Sequence, residues 1–249
     1  MLLENKVALV YGAGGAVGAA VARAFAREGA RVFLAGRTRA KLAQTAADIR
    51  AMGAAAQESV VDALDQRAVD AYVDAVAMQA GSIDISFNLI SYGEVQKPLM
   101  EIALEDFLQP VTNAMRTHFL TTRAAARHMI PRGSGVILSF GGSGPQAVPG
   151  MGGFKIALDA MEGLRRQWAC ELGQHGIRVV TLKTAGITET LPENMPGRNE
   201  IIHSIRQAAL LKWTAALADV GNVAAFVASD QARTMTSTEV NITCGALVD

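Results

Sequence analysis

Lys6-Val7-Ala8-Leu9-Val10, followed at once by Tyr11-Gly12-Ala13-Gly14-Gly15-Ala16-Val17-Gly18, is the stretch on which the fold turns. The residues up to Val10 make a short, nearly unbroken apolar run. Glycines follow, and then an Ala-rich helical pattern runs through Phe25 and stops at Gly29. This reads as strand, turn, helix. A turn of this kind needs glycines where the backbone takes unusual dihedrals, and it aims the N-terminus of the helix at an anion. Gly12, Gly14, Gly15 and Gly18 meet that need, with Val17 among them, so the turn is a candidate cradle for a dinucleotide pyrophosphate. The alternative is a tight strand-to-helix turn with no ligand.

The same unit recurs downstream. Arg31–Ala35 precedes a helix over Thr38–Met52, Gln57–Val61 one over Asp65–Ala80, and Ile83–Leu89 a longer one over about Glu105–Ile130. The second half continues with a strand at Val136–Phe140, a helix at Phe154–Leu172, and a strand at Ile177–Thr184 after a stop at Gly173–Gly176. Helical patterns at Ile201–Leu211 and Val220–Ser229 and a last strand at Glu239–Thr243 complete the chain. Strands without polar alternation are buried on both faces, so the expectation is an α/β fold with a parallel sheet covered by helices on both sides. No linker, repeat or low-complexity block interrupts residues 1–249, which read as one domain. Pro192–Gly197 has loop composition with apolar flanks and is a candidate lid.

The second strand ends Leu34-Ala35-Gly36-Arg37-Thr38. A free ribose 2′-hydroxyl is usually held by a carboxylate near this point, and a 2′-phosphate by an arginine fork. No acid stands here and Arg37 does; Thr38 can donate to the same phosphate or cap the next helix. NADP(H) is therefore preferred over NAD(H), the alternative being that Arg37 is a solvated surface charge. Lys plus Arg balances Asp plus Glu at 23 each, so no nucleic-acid footprint is expected. The first residues carry Glu4 and Lys6 where a secretory peptide is apolar, and no run of 18 apolar residues occurs, so a cytoplasmic protein with no membrane partner is expected. Cys170 and Cys244 lack metal-site spacing and read as buried thiols, with no metal expected.

On these residues and several others the chain resembles the short-chain dehydrogenase/reductase family along nearly its whole length. Gly12 and Gly18 match the outer glycines of the family's T-G-x-x-x-G-x-G turn, while Tyr11 replaces its threonine and Ala16 its middle glycine. Asp62 matches the acid that in the family hydrogen-bonds adenine. Asn88 matches the first residue of the N-N-A-G segment, with Leu89-Ile90-Ser91 departing from the rest. Gly186, Thr188 and Thr190 fit the P-G-x-x-x-T segment on the nicotinamide side, the proline having become Ala185. Gly245 sits like the family's C-terminal glycine. The resemblance implies a single Rossmann-fold domain with a doubly wound, seven-stranded sheet, a nicotinamide cofactor held partly by Leu89 and the residues above, a small-molecule substrate, and a homo-oligomer, tetramer or dimer.

The family's chemistry uses a Tyr-x-x-x-Lys pair. The lysine holds the nicotinamide ribose and lowers the tyrosine from its usual ~10, so that the phenol protonates a carbonyl as hydride arrives. Here Lys155 is present, but the tyrosine position is Met151, and a thioether is no acid. The family's serine aligns near Gly142, with Ser143 adjacent and Ser139 on the strand; its relay asparagine falls on Ala114, with Asn113 turned by about 100°. Tyr92 is the tyrosine nearest the expected nicotinamide pocket and a candidate substitute acid, or else a wall aromatic. His118 reads as an interface or core histidine. The catalytic candidates are thus Lys155, Ser143, Ser139 and Tyr92. Leu89, Ile90, Met151, Phe154, Leu191 and Met195 suggest an apolar substrate. Two functions compete: an NADP(H)-dependent oxidoreductase with an atypical proton donor, or a non-catalytic NADP(H)-binding protein. A lyase or isomerase on the same fold is a third reading.

Overall fold

The computed structural model describes residues 1–142 and 144–248. Its strands are β1 (Val7–Tyr11), β2 (Arg31–Gly36), β3 (Ala56–Val60), β4 (Ile85–Asn88), β5 (Gly135–Gly141), β6 (Ile177–Lys183) and β7 (Thr238–Asn241). They form one seven-stranded sheet in the order β3-β2-β1-β4-β5-β6-β7, and every pairing is parallel. The helices are α1 (Ala16–Arg27), α2 (Arg39–Ala51), α3 (Gln66–Ala80), α4 (Leu104–Met129), α5 (Gly153–Leu172), α6 (Arg198–Ala208) and α7 (Leu217–Ala228).

Alternation along the strands divides the core in two. Ala8 and Val10 of β1 join Val21 and Phe25 of α1, Leu42 and Ile49 of α2 and Ala224 of α7 on one face of the sheet. Val7, Leu9 and Tyr11 join Val73 of α3, Ala124 and Met129 of α4 and Leu172 of α5 on the other. An apolar strand with helices on both faces is what a doubly wound sheet requires. The outermost strands are the exception: β3 and β7 have no fully buried residue. Gln57 and Glu58 sit on the first of these edges, which explains the polar character of that segment.

Several sequence expectations move. Tyr11 is the last residue of β1 rather than part of the glycine turn, and it is buried with its ring set edge-on to Tyr72 at 5.8 Å. The two late helices begin earlier than their apolar pattern suggests, at Arg198 and Leu217. The cysteines are not buried: Cys170 is exposed on α5 and Cys244 is half-exposed. Cys170 occupies the outer face of α5, whereas Ala169 and Leu172 point into the core. No helix among the described residues is long and apolar enough to cross a membrane.

Candidate functional site

The turn between β1 and α1 is shaped by close approach. Gly12 has φ +75°, and a Cβ there would fall onto the Leu89 carbonyl; a Cβ at Gly18 would fall onto the Gly12 carbonyl. A Cβ at Gly14 would meet the Lys41 Cβ at 2.9 Å. Gly15 caps α1 with no side-chain hydrogen bond to the helix end, so the N–H groups of the first turn remain for a ligand. A cleft of about 340 Å³ opens beside this helix end, lined by Gly12, Gly14, Gly15, Arg37, Asp62 and Leu89 among others. Its glycines and uncapped helix end fit the adenosine and pyrophosphate part of a dinucleotide, with pyrophosphate at α1.

Towards β2 and β3 the cleft becomes polar. Arg37 and Thr38 are exposed on its wall, with Lys41 beside them. Thr38 stands at the N-cap of α2, yet its hydroxyl makes no cap hydrogen bond, and the first turn of α2 carries no acid. Asp62 spends Oδ1 on the amide of Leu64 at 3.0 Å, which fixes the carboxyl at the rim. Asn88 does not line the cleft. It is buried behind it, accepting from the amide of Ile90 at 3.0 Å and donating to Thr121 Oγ1 at 3.3 Å, and so sets the course of the loop that carries Leu89. Val17 is half-buried against the core under α1. Asn113, expected to face elsewhere, does line the cleft and donates to the Tyr92 carbonyl at 2.8 Å.

The opposite end departs further from the family pattern. Met151 lies two residues before α5, and Gly152 between them has φ +53°, so Met151 and Lys155 do not share a helical face. Lys155 Nζ donates to both carboxylate oxygens of Asp159, at 2.6 and 2.7 Å. Gly142 has φ +85°, and a Cβ there would meet the Lys183 Cβ at 2.8 Å. A serine at Gly142 is therefore excluded by both backbone and neighbour. Ser143 lies outside the described residues. Gly186 packs on Ile205, Thr188 Oγ1 lies 3.3 Å from Thr214 Oγ1, and Thr190 donates to the Ile187 carbonyl at 2.8 Å. These three build the connection after β6 and lie outside the first cleft.

Ser139, His118 and Tyr92 form one buried chain that the sequence did not suggest. Tyr92 Oη lies 3.0 Å from His118 Nε2, and Ser139 Oγ lies 3.2 Å from His118 Nδ1. Tyr92 Oη also donates to Met161 Sδ at 2.9 Å. The phenol thus faces inward, in an apolar cluster with Ala114 and Met161, and burial raises its pKa. A proton donor must reach the substrate, and in this placement Tyr92 is a packing and anchoring residue instead.

Burial pulls His118 down to about 4, so it is neutral in the fold across the physiological range. The unfolded chain binds the proton first as pH falls below the usual ~6.5, so the native state loses stability from there down to the folded pKa. The loss is of the order of 3 kcal/mol at most. Denaturant melts between pH 7 and 4 should show this slope, and His118→Gln should flatten it.

A family profile described as enoyl-(acyl carrier protein) reductase matches residues 12–246, and the chain belongs to the short-chain dehydrogenase/reductase family of oxidoreductases. Membership implies a nicotinamide cofactor. The chain is 32% identical over 256 residues to momilactone A synthase of Oryza sativa subsp. japonica, covering 99% of this chain and 91% of that one. The crystal structure of levodione reductase matches with a TM-score of 0.90 at 26% identity, over 98% of each chain. An NAD+-bound xylitol dehydrogenase shares the fold, with a TM-score of 0.89 at 24% identity over 98% of this chain and 100% of that one.

Proposed function

We propose that the protein is an NADP(H)-dependent oxidoreductase acting on a small, apolar carbonyl or alcohol. The observation that carries this is Arg37 at the end of β2, exposed on the wall of the glycine-turn cleft where a carboxylate would select the unphosphorylated cofactor. In this reading Gly12, Gly14 and Gly15 give the pyrophosphate a bare backbone, Arg37 and Thr38 take the 2′-phosphate, and Asp62 meets the adenine. Val17, Gly18, Asn88 and Leu89 shape that cradle, and Lys155, Gly186, Thr188 and Thr190 belong to the nicotinamide end. The bound cofactor supplies or accepts hydride. Leu89, Ile90, Met151, Phe154, Leu191 and Met195 are all half-buried, which supports an apolar substrate. Leu104, Leu108 and Phe119 of α4 and Ile156 of α5 are exposed apolar side chains, which supports a homo-oligomer. We place the protein in the cytoplasm.

The test is calorimetric titration with NADPH and NADH, followed by NADPH oxidation with a panel of ketones and aldehydes. Tighter NADPH binding together with turnover is the expected result; preference for NADH, or no turnover with any panel member, would sink the reading. Met151, standing where the family has its acid, favours a second reading, a non-catalytic NADP(H) binder, and turnover by the unmodified chain removes it. Met151→Tyr alone is expected to change turnover by less than about tenfold, well short of the ~10²–10⁴ of a working general acid. Position 151 is off the helix, and Lys155 is held by Asp159.

A further inference from the structure

Gly14 of the glycine turn does not have the positive φ of Gly12, so its backbone would accept another residue. What excludes one is a neighbour: a Cβ at 14 would stand 2.9 Å from the Cβ of Lys41 in the first turn of α2. A Cβ is tied to its backbone and cannot swing aside, so the glycine is a notch into which α2 fits. Thr45 lies one turn further along the same face of α2. It is 3% exposed and donates its hydroxyl to the Ala13 carbonyl at 3.0 Å. Two contacts, one of close packing and one polar, thus fasten α2 to the turn read as the pyrophosphate cradle.

That attachment brings Lys41 to the cleft. Its stem begins at the notch, and the side chain lines the same wall as Arg37 and Thr38. Lys41 is exposed and makes no ion pair among the described residues. Arg39, two residues earlier, is turned by about 200° around the helix and does not line the cleft. The first turn of α2 carries no acid, and with Arg37 and Lys41 set against Asp62 this wall is net positive. A ribose 2′-phosphate carries roughly −1.5 to −2 near neutral pH, which the single guanidinium of Arg37 does not balance.

We propose that Lys41 is a second specificity-determining residue for the cofactor, meeting the 2′-phosphate from α2 while Arg37 holds it from the end of β2, and that residue 14 is glycine in order to admit it. The proposal rests on the NADP(H) reading and goes beyond it, because it ties the choice of cofactor to a residue of the pyrophosphate turn. Lysine suits this place. Its ammonium is a compact charge on a flexible stem and can follow the phosphate, whereas Arg37 supplies the planar fork. NADH, with a ribose hydroxyl in place of the phosphate, offers Lys41 no charge to hold.

The experiment is calorimetric titration of the unmodified protein, Lys41→Met, Lys41→Arg and Gly14→Ala with NADPH, NADH and 2′,5′-ADP, a fragment that has the 2′-phosphate and no nicotinamide. Lys41→Met should weaken NADPH and 2′,5′-ADP by about tenfold each and leave NADH unchanged, and its NADPH affinity should depend less steeply on salt. Lys41→Arg, which keeps the charge, should stay close to the unmodified protein. Gly14→Ala pushes α2 off the turn and should lose more affinity for NADPH than for NADH. Lys41 is exposed, so Lys41→Met keeps the fold and decides the matter where Gly14→Ala does not fold. Equal losses of NADPH and NADH in Lys41→Met would put the ammonium on the pyrophosphate and overturn the proposal alone, as would unchanged binding of all three ligands. An unmodified protein that prefers NADH overturns the NADP(H) reading and this proposal with it.

Discussion

Arg37→Asp is expected to reverse the order of the two nicotinamide cofactors, with NADPH binding falling by about 10–100-fold and NADH binding rising. Arg37 lines the cleft at the end of β2, is exposed, and makes no ion pair among the described residues. Its guanidinium is thus uncommitted, and the whole of a charged hydrogen bond to a 2′-phosphate, about 1.5–3 kcal/mol, is available for selectivity. An aspartate at 37 repels that phosphate and accepts from the ribose hydroxyls instead. Lys41 and the nearby Arg39 keep some positive potential at this end, so the loss should shrink as salt is raised. Calorimetric Kd values for both cofactors at low and high salt measure the effect. An unchanged ratio would mean that Arg37 is only a solvated surface charge.

The parts of this protein that could be read from its residues are those set by local rules. A glycine turn after an apolar run, and a repeat of apolar strand and amphipathic helix, suffice to anticipate β1 to β6 and α1 to α5 to within a few residues. Gly12 and Gly18 are legible because an approach of backbone to backbone leaves no choice of residue. The departures at Met151 and Gly142 are legible too, because they are absences at fixed positions in a pattern. Their causes are not. That Gly142 is coupled to Lys183 depends on the pairing of β5 with β6, which joins residues 42 positions apart, as Gly141 with Lys183, and no periodicity reports a cross-strand neighbour. The chain Tyr92–His118–Ser139 draws on a loop, a helix and a strand, and its members look like unrelated polar residues in the sequence.

Gly153→Ala is expected to destabilise the fold by about 3 kcal/mol, at the upper end of what one added methyl costs in a packed interior. A Cβ at 153 would fall onto the Phe107 carbonyl oxygen and stand 3.1 Å from Pro110 Cγ, and Gly153 is fully buried where α5 begins against α4. Helix-interior glycine is ordinarily worse than alanine by roughly 1 kcal/mol, so at an open position this substitution would stabilise. The predicted sign is the reverse because neither side can yield: Phe107 O belongs to the backbone of a 26-residue helix, and Gly152 already has φ +53° and is hemmed in by Ile102 and Val95. The damage should also be selective. Gly153 sets the distance between α4 and α5, and so where Lys155 and Asp159 lie relative to Lys183, whereas the glycine turn at α1 is built on the far side of β4. Denaturant melts should show the loss of stability. NADPH titration below the transition should show near-normal affinity, and carbonyl turnover should fall. Gly153→Ala as stable as the unmodified protein would mean that α5 starts further from α4 than described. Equal losses of NADPH affinity and turnover would mean that the two ends of the site are not separately built.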